Sequence, residues 1–143
     1  MIIPDVNLLL YAYNPNSTHH TAAGNWWEQT ITGPRQVGLA WVTILGFIRI
    51  STHRIASPNP VFPSEAMRRV RSWLDNQRVR IITPGESHAN ILFRLLEDLG
   101  TAGNLTTDAH LAALAMEYQA EIASTDTDFA RFKGLRWFNP LKV

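Results

Sequence analysis

Short apolar runs alternate with helix-period segments along this chain, and that alternation constrains its fold more than any other feature. Ile2 and Ile3, Gln36 to Leu39, Val79 to Thr83 and Glu121 to Ser124 read as brief strands. Between them, apolar residues recur at helical spacing in the segments after Asp5, His19 to Ile31, Trp41 to Ser51, Glu65 to Asn76 and Glu86 to Leu99. Another such segment follows Asn104, where Leu111, Leu114, Ala115 and Tyr118 fall at i, i+3, i+4 and i+7 and Thr106 or Thr107 can cap the start. Strands alternating with helices argue a parallel sheet with the helices on its faces. The expected fold is therefore α/β, one parallel sheet between helical layers. With 143 residues the whole chain, 1 to 143, suits a single domain.

In such a fold the start of a helix and the end of the next strand meet at the carboxyl edge of the sheet, where sites form. About 15 helical residues cover roughly 22 Å, and a short strand with its turn returns most of that distance. Asp108, in the first turn of the last helix, is thereby brought toward Asp126 in the polar turn Thr125 to Asp128. Taken singly each is ordinary: an acid in a first turn meets the positive end of the helix dipole, and Asp is a turn former. Asp5 adds a third, at the switch from the first strand to the first helix. It could simply cap that helix, a contribution of ~1 kcal/mol. A first strand tends to be central in a parallel sheet, so its end would open on the same edge. Acids converging there repel one another and call for a cation.

The segments DVNLLLYAY, TDAHLAALA and STDTDF, with GFIRISTHR and DFARFKGLRWFNPL, together resemble the PIN-domain ribonucleases, in particular the VapC-type toxins of bacterial type II toxin-antitoxin pairs. The resemblance spans nearly the whole chain. It implies a three-layer α/β/α sandwich around a central parallel sheet, a Mg²⁺ or Mn²⁺ site built from carboxylates, and endonucleolytic cleavage of RNA. Asp5 and Asp108 match the principal metal-binding acids and Asp126 the acid after the fourth strand, making these three the expected ligands. Asn7, Thr125 and Asp128 match accessory polar positions, with Asp128 and Thr125 placed to position the water or a ligand. The resemblance further implies a homodimer and a cognate antitoxin. One departure stands out: many PIN domains carry a Glu on the helix after the second strand, and Gly46 occupies that place here. A glycine cannot ligate an ion, so a single tight ion is expected, and a catalytically silent module that binds RNA or a regulator is the alternative reading.

The ligand type agrees with that chemistry, since an all-oxygen site suits Mg²⁺ or Mn²⁺ better than zinc or copper. The histidines show no zinc-ligand spacing and are expected to be structural or on the surface. His110 should turn away from the face carrying Asp108, because residues i and i+2 do not share a helix face. Nucleophile-elbow and phosphate-loop motifs are absent. A phosphatase of the haloacid type would want an Asp where Asn7 stands.

Charge is unevenly spread. Between residues 35 and 80, eight arginines face only Glu65 and Asp75, whereas the segments on either side carry an excess of acid. An arginine-rich middle beside an acidic edge suits a phosphodiester substrate. Arg68, Arg69 and Arg71 read as a solvated helix face, while Arg49 and Arg54 are the candidates for holding substrate. The adjacent Trp26 and Trp27 cannot both face one core, so one is expected to be exposed to a partner. The absence of cysteine points to a reducing, cytoplasmic home. No stretch approaches the ~20 apolar residues of a membrane span.

Overall fold

The computed structural model describes residues 1–57 and 59–142. Its sheet contains β1 (Ile2–Pro4), β2 (Val37–Ala40), β3 (Val79–Ile82), β4 (Glu121–Ala123) and β5 (Trp137–Phe138). The strand order is β3-β2-β1-β4-β5 and every pairing is parallel. β1 is central, as expected of the first strand of a parallel sheet. Six α-helices connect the strands: α1 (Val6–Tyr13), α2 (His20–Ile31), α3 (Trp41–Thr52), α4 (Pro63–Leu74), α5 (His88–Leu99) and α6 (Thr106–Glu117).

Two cores lie on opposite faces of the sheet. Successive strand residues point to opposite faces, and β1 shows it directly: Ile3 packs with Leu95 of α5, the buried run of α6 and Phe129, while Ile2 packs with Leu8 of α1 and Trp26 of α2. On the Ile2 side, Leu9, Trp27, Leu39, Phe47, Val70 and Trp73 join α1 to α4 in one cluster. The result is the three-layer α/β/α sandwich. Trp73 closes edge-on against Phe47 at 4.7 Å and against Trp27 at 5.8 Å.

Several local expectations change. β5 has two residues, too few for periodicity to detect. No side chain caps α6; the Thr106 hydroxyl donates to Gly103 O at 2.8 Å, and a 3-10 turn over Gly103–Leu105 leads into the helix instead. Neither tryptophan of the pair is exposed, because Trp27 is buried in the α1–α4 core and Trp26 is half-buried against Ile2 and Leu8. The freely exposed large apolar residues are others, Trp41, Leu45 and Phe93 among them.

Candidate metal centre

β1 and β4 are neighbours, yet the chain leaves β1 toward β2 on one side and reaches β4 only after crossing to the other. Their carboxyl ends therefore lie at the point where the strand order reverses, the usual place for a site in an open α/β sheet. Pro4 pairs with Ala123, which sets Asp5 opposite Ser124. The ladder runs one step further through Asp5 N–H donating to Ala123 O at 2.9 Å.

Asp5 is 8% exposed and caps α1. Its Oδ1 accepts from Val6 N–H at 2.8 Å, and its Oδ2 accepts from the fully buried Ser124 hydroxyl at 2.7 Å. Burial pushes its pKa above the usual carboxylate range, the bonds from Ser124 and Val6 hold it back, and the Asp126 charge adds to the rise. Ser124 Oγ in turn accepts from Asp126 N–H at 3.0 Å, so one hydroxyl ties the end of β1 to the loop after β4. Asn7 Nδ2 donates to Thr125 Oγ1 at 2.9 Å and to Ser124 Oγ at 3.4 Å.

Asp126 caps the short 3-10 helix Thr127–Arg131, accepting from Asp128 N–H at 2.9 Å. That turn carries Asp128 inward. Asp108, Asp126 and Asp128 each offer an oxygen within 4.8 Å of the others, and all three are half-buried. Asp108 is pushed up to about 6, first by burial and then by the charges of Asp5, Asp126 and Asp128. Among the described residues no Lys, Arg or His forms an ion pair with any of the four. A crowded, cation-free carboxylate set fits a hard divalent ion. The buried Asn7 Oδ1, without a hydrogen-bond partner among the described residues, is a further oxygen at the same place.

The geometric trio thus contains Asp128 rather than Asp5, each of whose oxygens accepts one hydrogen bond, from Val6 and from Ser124, and keeps a lone pair. Ser124 escaped the sequence reading, although the position paired one step beyond Pro4 was the signal that could have found it. Gly46 is buried in α3, and a Cβ placed on it would lie 3.5 Å from Val6 Cγ2. The helix face that would carry a Glu is therefore turned into the packing between α1 and α3. Arg49 and Arg54 are exposed, on the last turn of α3 and in the turn after it. The helical rise places them ~12 Å or more beyond the start of α3 at the carboxyl edge.

The histidines hold a second polar group. His88 is buried, its Nδ1 lies 2.8 Å from Glu117 Oε1, and its Nε2 lies 3.0 Å from His110 Nδ1. His110 thus faces α5, away from Asp108, and Glu117 also accepts from Gly85 N–H at 3.0 Å. This network fastens α5 to α6.

The PIN domain family model matches residues 2–135. This chain belongs to the PIN-domain family, in its VapC group. Among its curated relatives, Ribonuclease VapC33 of Mycobacterium tuberculosis is 46% identical, the match covering 99% of each chain. Ribonuclease VapC37 of the same species is 44% identical over 98% of this chain and 97% of the relative. Among solved structures, the FitAB complex bound to an IR36 DNA fragment superposes with a TM-score of 0.72 at 18% identity, covering 100% of this chain and 97% of that one. The toxin VapC20 of M. tuberculosis, described as cleaving the sarcin-ricin loop, gives 0.69 at 16% identity over 95% and 99%. At those identities the superpositions bear on the fold alone, and the fold is the same.

Proposed function

We propose that this PIN-domain protein is a divalent-metal-dependent endoribonuclease and the toxic member of a type II toxin-antitoxin pair. The observation that carries the reading is the convergence of Asp108, Asp126 and Asp128 beside the buried Asp5 at the reversal of strand order, with no protein cation among them. The names of its full-length relatives, ribonucleases throughout, support the substrate class.

Asp108, Asp126 and Asp128 would hold Mg²⁺ or Mn²⁺, with Asp5 joining directly or through water. When bound, such an ion polarises a phosphoryl oxygen and lowers the pKa of a water. The protein's own part is positional. Ser124 fixes Asp5 from the β4 side, the Asp126 cap sets the direction of Asp128, and Asn7 holds Thr125 at the rim. A carboxylate oxygen left free by the ion can orient a water for in-line attack and take its proton. Arg49 and Arg54 would hold RNA phosphates away from the acids. Trp41, Leu45 and Phe93 offer exposed apolar surface of the kind that marks interfaces. We assign that surface to a homodimer and to an antitoxin in the cytoplasm, in keeping with the VapBC complex of Rickettsia felis, whose fold this chain shares at a TM-score of 0.69.

The test compares wild type with Asp5→Asn on a panel of structured RNAs, with and without Mg²⁺. Metal-dependent cleavage by wild type and its loss in the folded variant are expected. No cleavage by wild type under any metal would favour the silent-module reading that Gly46 raises.

A further inference from the structure

The acid cluster occupies one end of α1 and α3, and the other ends of the same helices frame a pocket of about 460 Å³. Leu10, Tyr11, Tyr13, Phe47, Ser51 and Arg69 form its walls, with amide groups contributed by Asn14 and Asn59. Its size falls in the range of small-ligand sites, about 300–1,000 Å³. The Tyr13 ring is held on three sides: the Arg69 guanidinium lies 5.1 Å above it, Phe47 meets it edge-on at 5.8 Å, and its hydroxyl accepts from Trp73 Nε1 at 2.7 Å. This wall is rigid before anything binds. Tyr11 stands opposite it in chain order on the last turn of α1, half-buried, its ring 4.8 Å from that of His19.

Two rulers give the distance from this pocket to the acids. Asp5 caps α1 and Tyr13 ends it, a rise of ~12 Å; Trp41 opens α3 at the sheet edge and Ser51 lines the pocket, a rise of ~15 Å. They agree, and the interval amounts to no more than about four nucleotide steps at roughly 3.4 Å or more per step. Arg69 lines the pocket, sharing Glu65 with Arg68, and the exposed Arg49 and Arg54 lie within two residues of the lining positions Ile50 and Ala56. Arg49 and Arg54 enter no ion pair among the described residues. Aromatic walls, amide edges and the Arg69 guanidinium together match a flat heteroaromatic group on a polyanion, which is how unpaired RNA bases are bound.

We propose that this pocket receives an unpaired base of the RNA a few nucleotides from the bond that is cut, and so selects the cleavage site. The proposal rests on the ribonuclease reading, deepening it from RNA in general to a single-stranded segment with one base read at a distance. Charge favours RNA over a protein side chain as occupant, because Arg69 in the lining and three more arginines within two residues of lining positions suit a polyanion.

The test fills the pocket with Ala56→Trp, made on an exposed turn, and separately strips a wall with Tyr11→Ala; circular dichroism and thermal melts establish that each variant is folded. Fluorescently labelled homopolymeric oligoribonucleotides, too short to fold, are titrated with Ca²⁺ in place of Mg²⁺. Cut sites are mapped on a long RNA in Mg²⁺, and a dinucleotide too short to reach the pocket serves as a second substrate. Expected are about tenfold weaker oligonucleotide binding, loss of base preference at one position away from the cut, and unchanged dinucleotide cleavage. Unaltered binding and cut-site preference in either folded variant would overturn the proposal, as would loss of affinity for the protein encoded next door with RNA binding intact. Pocket-dependent binding without cleavage of any RNA would instead sink the ribonuclease reading and leave the pocket assignment standing.

Discussion

Asp108 shows how burial, with like charges beside it, becomes a measurable property. Its pKa of about 6 lies above the ordinary 3.8, so between those values the folded protein holds a proton that the unfolded chain has released. The sign follows: in metal-free protein this group's contribution to stability is present below the unfolded value and is lost as pH rises through about 6. Melting temperature should fall across that window more steeply for wild type than for Asp108→Asn, and a parallel pair of curves would contradict the assigned cause. Ser124 has the opposite character. Its hydroxyl donates to a buried carboxylate and accepts from Asp126 N–H, so Ser124→Ala should cost about 1.5–3 kcal/mol in chemical denaturation. The same substitution should push Asp5 further up, visible as a higher pH for its carboxyl resonance. The acids themselves were readable in the sequence because helix starts and strand ends are predictable places; Ser124 was not, since a serine after a strand carries no signal until the register Pro4 to Ala123 is known.

At the scale of elements, four of the five strands and all six helices could be read from periodicity, because each buries one face and the burial writes the pattern. What escaped was set by tertiary contact. β5 is too short to show alternation, and Trp26 finds cover only because β1 and α1 place Ile2 and Leu8 beneath it. The link from His88 to His110 and Glu117 joins residues on different helices, a relation that no spacing within one helix can reveal. Gly46 belongs to this scale too. It packs α3 against Val6 of α1, and a Cβ there would make only ordinary contact at 3.5 Å. Gly46→Ala should therefore be tolerated and gain roughly 0.5–1 kcal/mol from helix propensity. Gly46→Glu should lose stability, since it drives a carboxylate into the α1–α3 packing, rather than restore a ligand. A folded Gly46→Glu protein that binds one more ion than wild type would show that the helix can turn that face to the site.

Across the whole molecule, the net charge of +1 conceals a division of labour: acids at the strand-order reversal, and arginines on the helices that run away from it. The acid cluster is strained without a cation and relieved by one, so ion binding must couple to global stability. The number of ions follows from the ligands. Asp108, Asp126 and Asp128 reach a common point, Asp5 stands behind them with each oxygen accepting a hydrogen bond, and Gly46, packed against Val6, adds no carboxylate. Two-metal catalysis needs acids on both sides of a gap of about 4 Å, so only one ion should bind tightly to the free protein. Calorimetric titration with Mn²⁺ is then expected to give a stoichiometry near one and an accompanying rise in melting temperature, both lost in Asp108→Asn. An RNA phosphate can supply further negative charge at the cluster, which predicts a second, weaker ion that appears only with a non-cleavable RNA analogue. Two equally tight ions in the free protein would overturn this count and make Asp5 a full ligand through the lone pairs that its bonds from Ser124 and Val6 leave free.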